Sequence, residues 1–236
     1  MSIPVVKVPT FTMTLPLTGE VVSYRPFLVK EEKLLIMANE DGNIKEITNA
    51  VTQLVKDCTS DVMKPDTHSM FDIQYAFLQI RGKSISEEIP FYLICENEGC
   101  GYKTETSVRI DQFQFRENPE HTNTIDLGVG IKVIMRYPSF EKYGLLYDRV
   151  EDDAVFDVVA SCIEKIVTED EVYVNENKDT LAEVRGFLDS ITPEQFSKLE
   201  VFFTTMPILE YVHPYTCKGC GIKNSVTIDG VRNFFE

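Results

Sequence analysis

The sequence predicts an α+β fold, internally duplicated into two related halves, each with helices and a small antiparallel β-ribbon bearing a cysteine turn. Three observations predict it. Short alternating segments read as strands, and longer segments with apolar residues three and four apart read as helices. The third is a repeat: the order strand, Arg-Pro or Arg-Tyr-Pro, helices, strand, cysteine turn, strand occurs twice along the 236 residues.

Phe11, Met13 and Leu15 alternate with Thr10, Thr12 and Thr14, the pattern of a half-buried strand. Leu17 to Glu20 forms a turn, and Val21 to Arg25 returns as a strand. A helix over 30–39 follows, with Glu31 and Glu32 in the first turn, where acids suit the helix dipole; Asp41-Gly42-Asn43 breaks it. Ile44, Ile47, Val51, Leu54, Val55 and Cys58 then line one helical face. A polar loop runs over 59–69, and a second apolar helix over 72–82 carries Ile73, Phe77 and Ile80 on one side. Ile89 to Cys95 and Tyr102 to Ile110 read as paired strands around a turn, followed by an irregular acidic stretch. Thr124–Leu127 and Ile131–Tyr137 make another pair, split by a Gly128-Val129-Gly130 turn that lacks a dinucleotide fingerprint.

The second half starts with a helix marked by Val155, Val159, Cys162 and Ile166, behind the acids 151–153. A shorter helix is expected over 180–190. Thr192-Pro193-Glu194-Gln195 is a strong helix start, with threonine as cap, proline in the first turn and glutamine closing a capping box. That helix carries Phe196, Leu199, Phe203 and Met206, and Pro207 stops it. Leu209–Thr216 and Lys223–Ile228 are strands around the turn 217–221, and 229–235 is read as a helical turn. Tyr24-Arg25-Pro26 matches Arg136-Tyr137-Pro138, and Cys100-Gly101 with Ser107 to Asp111 matches Cys220-Gly221 with Ser225 to Asp229. The expected domains are 1–120, with the turn Cys95/Cys100, and 121–236, with the turn Cys217/Cys220.

The hydrophobic fraction is 43% and the charged fraction 26%, an ordinary globular balance. No apolar run approaches the length of a transmembrane helix, and residues 1–9 lack the basic and apolar regions of a secretory signal, so a cytoplasmic protein is expected. Lys and Arg total 23 against 38 Asp and Glu, a net charge of -15. Such a chain repels phosphate backbones and can attract basic protein surfaces.

Six cysteines in that compartment are expected to be reduced or metal-bound. Cys95 and Cys100 are separated by four residues and Cys217 and Cys220 by two; both second cysteines precede glycine. Zinc ribbons use such knuckles to aim two thiolates at one ion, and two knuckles complete a tetrahedral site. Metal candidates are therefore Cys95, Cys100, Cys217 and Cys220, with structural zinc as the cofactor. Free surface thiols are one alternative. Half-sites that have lost their partners, with His213 as a stray donor, are another. A thioredoxin-like role fits less well, because that motif opens a helix and both flanks here read as strand. Cys58 and Cys162 sit on apolar helix faces and read as core residues. His68, His121 and His213 share no spacing and read as surface histidines. No nucleophile elbow, phosphate loop or dinucleotide fingerprint appears, and the plentiful Asp and Glu pairs read as solvated faces, so no enzyme activity and no small-molecule substrate are expected. Arg25, Lys30, Lys33, Arg81 and Lys83 cluster in the two segments with the densest apolar pattern, which suits buried ion pairs or an interface as well as ordinary surface cations.

Tyr24-Arg25-Pro26-Phe27-Leu28-Val29-Lys30-Glu31-Glu32-Lys33 resembles the N-terminal signature of a baseplate protein family from T-even-type contractile-tailed phages. Phe71 to Leu78, continuing to Arg81-Gly82-Lys83-Ser84, resembles its second signature. Tyr215 to Gly221, then Val226 to Gly230 and Phe234-Phe235, resembles its C-terminus. The resemblance implies a late, non-enzymatic protein of the central baseplate hub, or a factor that assembles the hub. Its partners would be other hub proteins, with self-association as a further possibility and with no nucleic acid or membrane. It would act in the host cytoplasm during assembly and, as a stable component, in the virion tail. Arg25, Phe27, Lys30, Arg81 and Lys83 are the candidate contact residues. The competing reading is a zinc-ribbon nucleic-acid-binding or regulatory protein, against which the net charge of -15 argues.

Overall fold

A computed structural model describes residues 6–64, 68–140, 142, 152–176 and 178–229. Its elements are small antiparallel sheets and six helices among the described residues, an α+β architecture. The chain divides into two compact units. The first comprises 1–64, 71–116 and 208–236, and the second 65–70 and 117–207. The boundary read near residue 120 divides the chain by sequence repeat, whereas compactness groups the last ribbon with the first unit.

In the first unit, β1 (Phe11–Thr14) pairs antiparallel with β2 (Val21–Tyr24), Met13 opposite Val22. Helix α1 (Val29–Asp41) ends at Gly42, whose φ of +64° suits glycine. Helix α2 (Ile44–Cys58) buries Ile47, Val51, Leu54, Val55 and Cys58, as its periodicity requires. Helix α3 (Met70–Ser84) is buried on more than one face, with Phe71, Ile73, Phe77, Leu78 and Ile80 beside buried Asp72 and Gln74. Arg25 ties these parts together. Its N–H donates to Cys58 O at 3.0 Å, and its Nη2 donates to Glu31 Oε1 at 2.9 Å. Glu31 Oε2 accepts the Leu28 N–H at 2.7 Å. The sequence places Glu31 on a solvated helix start, yet it is only 2% exposed. Arg25 supplies the compensating charge that allows its burial.

Two ribbons complete this unit. β3 (Glu88–Ile94) pairs with β4 (Lys103–Arg109). β10 (Ile208–Thr216) pairs with β11 (Lys223–Asp229) and, on its other side, with β5 (Gln114–Arg116). β5 falls in the stretch read as irregular. Its Arg116 binds the buried Glu210 of β10 at 2.9 Å, a cross-strand ion pair that a local pattern does not reveal.

The second unit holds a sheet of order β6-β7-β8-β9: β6 (Thr124–Gly128), β7 (Ile131–Met135), β8 (Ile163–Val167) and β9 (Val172–Val174). Gly128, Val129 and Gly130 all have positive φ and form the expected turn. Helix α4 (Asp152–Cys162) stops at Cys162, and the chain turns at once into β8, so Ile166 is a strand residue rather than a helical one. Ile166 falls four residues after Cys162 and so fits a helical face. Asn175 decides the outcome: its Nδ2 donates to Ala160 O at 3.0 Å and Ile163 O at 2.9 Å, satisfying carbonyls where the helix ends. Helix α5 (Lys178–Ser190) and helix α6 (Pro193–Thr205) follow, and Thr192 caps α6 as its sequence states. Residue 151 and the turn expected over 230–235 lie outside the described residues.

Cys162 in this unit repeats the role of Cys58. It is fully buried, and its carbonyl accepts the Arg136 N–H at 2.7 Å. Burial pushes the two thiols up, Cys58 to about 12 and Cys162 to about 11, which keeps them protonated core groups.

Candidate metal centre

Strand periodicity places the first cysteine of each pair. Ile89, Phe91, Leu93 and Cys95 occupy alternate positions along β3 and its end, and the burial pattern faces them inward. Leu209, Tyr211, His213, Tyr215 and Cys217 do the same along β10. Each inner face thus ends in a buried thiol. The turns supply the second cysteine. Cys95 N–H donates to Tyr102 O at 3.0 Å, and Cys217 N–H to Ile222 O at 2.9 Å, closing the two knuckles. Gly101 and Gly221 follow Cys100 and Cys220 with φ of +55° and +75°, where a side chain would be strained.

The ribbons meet through specific contacts. Thr106 Oγ1 and His213 Nε2 are 3.1 Å apart. The His213 ring lies edge-on to Phe91 at 5.4 Å and to Tyr211 at 5.7 Å. Gly219 sits so close to Tyr102 that an added Cβ would fall 2.7 Å from the tyrosine Cβ. The sequence reading treats His213 as a surface residue or stray donor. It is instead a half-buried spacer between ribbons, and burial lowers its pKa. His121 is likewise half-buried, stacked on Tyr137 at 5.6 Å, with Nδ1 2.9 Å from Thr205 Oγ1. The alternation ending at Cys217 was a signal for His213; nothing local marked His121.

These contacts bring Cys95, Cys100, Cys217 and Cys220 together, their sulfurs all within 4.8 Å of one another. The Cys95–Cys220 separation is 3.8 Å and the Cys100–Cys217 separation 3.6 Å. Four thiolates around one ion with metal–sulfur bonds of about 2.3 Å have edges of about 3.8 Å, so the set is compatible with a tetrahedral metal site. Cys95 and Cys217 are buried, Cys100 is half-buried and Cys220 is exposed, which leaves an entry path. Backbone N–H groups of Cys220 and Gly219 favour the Cys217 thiolate and lower its pKa to about 6. At Cys95 the Asn97 N–H acts the same way, but burial and the other three thiols outweigh it and push the group up to about 12. A cation at the centre would favour the thiolate form of all four.

The remaining candidates divide. Arg25 is committed to Glu31, and Lys30, mostly exposed, reaches the same carboxylate at 3.1 Å. Phe27 is half-buried, and its N–H donates to Ser84 Oγ at 2.9 Å. Lys83 pairs with Glu87 at 2.6 Å. Arg81 differs: its Nη1 is buried without a hydrogen-bond partner, and burial lowers its pKa.

The fold and the cysteine cluster define an α+β protein whose two β-ribbons converge on a four-thiol centre. A model of the T4 bacteriophage base plate protein family matches residues 8–236, and the chain belongs to that family. No curated protein and no solved structure matches it. Among the described residues no helix is long and apolar enough to cross a membrane.

Proposed function

We propose that this chain is a non-enzymatic protein of the phage baseplate, a component of the central hub or a factor that assembles it, working through contacts with other hub proteins. The family match over 8–236 carries this reading. The net charge of -15 supports a basic protein partner over nucleic acid. Arg81 is the contact residue of choice: it is half-buried rather than fully buried, and it forms no ion pair among the described residues, whereas Arg25, Lys30 and Lys83 are each paired with a glutamate. Mass spectrometry of purified tails tests the role: presence in stoichiometric amount supports a stable component, presence only in assembly intermediates supports the factor, and absence from both refutes the reading. An Arg81→Ala variant should keep the melting temperature of the isolated protein while weakening hub assembly.

Zinc is the metal we assign to the four cysteines, because four thiolates in knuckles suit it and leave no open position for catalysis. Its role is to clamp the ribbons. We also infer that the halves arose by duplication. In both, a strand runs into an arginine whose N–H donates to the carbonyl of a buried, helix-terminal cysteine, Arg25 to Cys58 and Arg136 to Cys162. An experimental structure in which 20–112 does not superpose on 132–230 would refute that history.

A further inference from the structure

Among the described residues the sheet of the second unit ends in an edge with no strand paired to it. Among the described residues β9 is the last strand of its sheet, and Val172, Tyr173 and Val174 are 58%, 53% and 39% exposed. The register sets Val172 opposite Val167, Tyr173 opposite Ile166 and Val174 opposite Lys165. On either side, Thr168 N–H donates to Glu171 O and Asn175 N–H to Glu164 O, both at 2.9 Å. Hydrogen-bonded positions alternate in an antiparallel pair. Tyr173 therefore bonds to β8, and the N–H and C=O of Val172 and Val174 point away from the sheet. Protein edges are usually blunted by short length, charge, proline or a bulge; β9 is short, but Val-Tyr-Val carries no charge and no proline. The opposite edge is treated differently: Gln195 Nε2 of α6 donates to Leu127 O of β6 at 3.1 Å.

Beside the open edge lies a groove of about 310 Å³, lined mainly by apolar side chains that include Ile131, Ile163, Ile166, Tyr173, Val184 and Phe187. Glu183 is among its lining residues, and exposed Glu169, Asp170, Glu171 and Glu176 flank β9 along the chain. Lys165, which the register sets opposite Val174, is paired with Glu164 at 3.2 Å. Unpaired backbone groups supply affinity for an added strand, pockets for alternate side chains supply specificity, and the acidic rim selects the charge.

We propose that β9 is a strand-addition site for an extended segment of a partner protein in which apolar residues alternate with lysine or arginine. The proposal rests on the baseplate reading only for the existence of such a partner.

The test uses the full chain and a fluorescein-labelled decapeptide of alternating valine and lysine, with valine–glutamate and glycine–serine decapeptides as controls. Fluorescence anisotropy at low salt should show the basic peptide binding at least about tenfold more tightly than either control. Amide exchange at Val172 and Val174 should slow at least about tenfold on binding. In Val174→Pro the outward N–H is lost while the bonds to β8 remain, and proline is tolerated on edge strands. Its melting temperature should stay near that of the parent while binding falls at least about tenfold; Val172→Pro serves if that variant does not fold. Equal binding of basic and acidic peptides, undiminished binding by both proline variants, or unchanged exchange overturns the proposal. A dimer in sedimentation that Val174→Pro abolishes also overturns it, in favour of a second copy as occupant. Absence of basic-peptide binding by a parent chain that is incorporated into tails refutes the edge site alone, whereas peptide binding by a chain absent from tails and their intermediates refutes the baseplate role alone.

Discussion

Replacing Gly219 with alanine strikes the ribbon junction at its tightest point. The new Cβ would fall 2.7 Å from Tyr102 Cβ, 2.9 Å from Cγ and 3.1 Å from Cδ2, and real Cβ contacts essentially never lie under 3.0 Å. Rotating the tyrosine ring does not help, because its Cβ is fixed to the backbone. One knuckle must therefore retreat from the other. Overpacking of this kind costs about 1–3 kcal/mol. The strain is greatest where the ribbons are drawn together, so most of it falls on the metal-bound state and weakens zinc about 5- to 150-fold. Titration of reduced, metal-free protein with zinc against a competing chromophoric chelator reads this directly. In a Tyr102→Gly background the same change should cost little, since both clashing atoms are gone. Affinity within about twofold of the parent in Gly219→Ala would refute the claim that metal closure requires this close approach.

Three further outcomes follow from the same geometry. Cys217→Ser removes a buried thiol of the proposed site and should abolish stoichiometric zinc, read by elemental analysis, and make amides of β10 and β11 exchange faster. Glu31→Gln leaves Arg25 without its charged partner and should cost about 1–3 kcal/mol in urea unfolding at neutral pH, less than a fully buried pair because Arg25 is partly exposed. Burial alone would raise the Glu31 carboxyl, but hydrogen bonds from Arg25, Leu28 N–H and Lys30 hold it below its ordinary 4.5. Its share of stability is therefore complete above that value and is lost as acid takes the pH below it, and the glutamine variant should lose that part of the acid sensitivity. Thr192→Ala removes the cap that accepts the Gln195 N–H at 3.3 Å and should cost about 1 kcal/mol, measured by the same unfolding.

Where one element decides its own conformation, the sequence was sufficient. The face of α2, the Thr192 cap, the glycine turn at 128–130 and both knuckles appear where local pattern puts them. The placing of the four clustered cysteines in turns at strand ends was legible because knuckle spacing and strand alternation are both local. The failures are tertiary. β5 forms because β10 is there to pair with it and Arg116 meets Glu210. β8 replaces a helical turn because Asn175, remote in sequence from α4, takes its terminal carbonyls. β9 follows β8 and has no pattern of its own beyond three residues. Glu31 looked like a helix-start acid because its burial depends on an arginine arriving from β2. The pairing of the two knuckles, 117 and 125 residues apart along the chain, rests on Gly219, Tyr102 and His213, none of which signals a partner by itself.

The central claim is that one zinc ion clamps the two ribbons through four thiolates. X-ray absorption at the zinc edge, on protein purified without added metal, tests it most directly. The account predicts close to one zinc per chain, with a single shell of four sulfurs at about 2.3 Å. Less than about 0.3 equivalents, or a shell in which nitrogen or oxygen replaces sulfur, would contradict it.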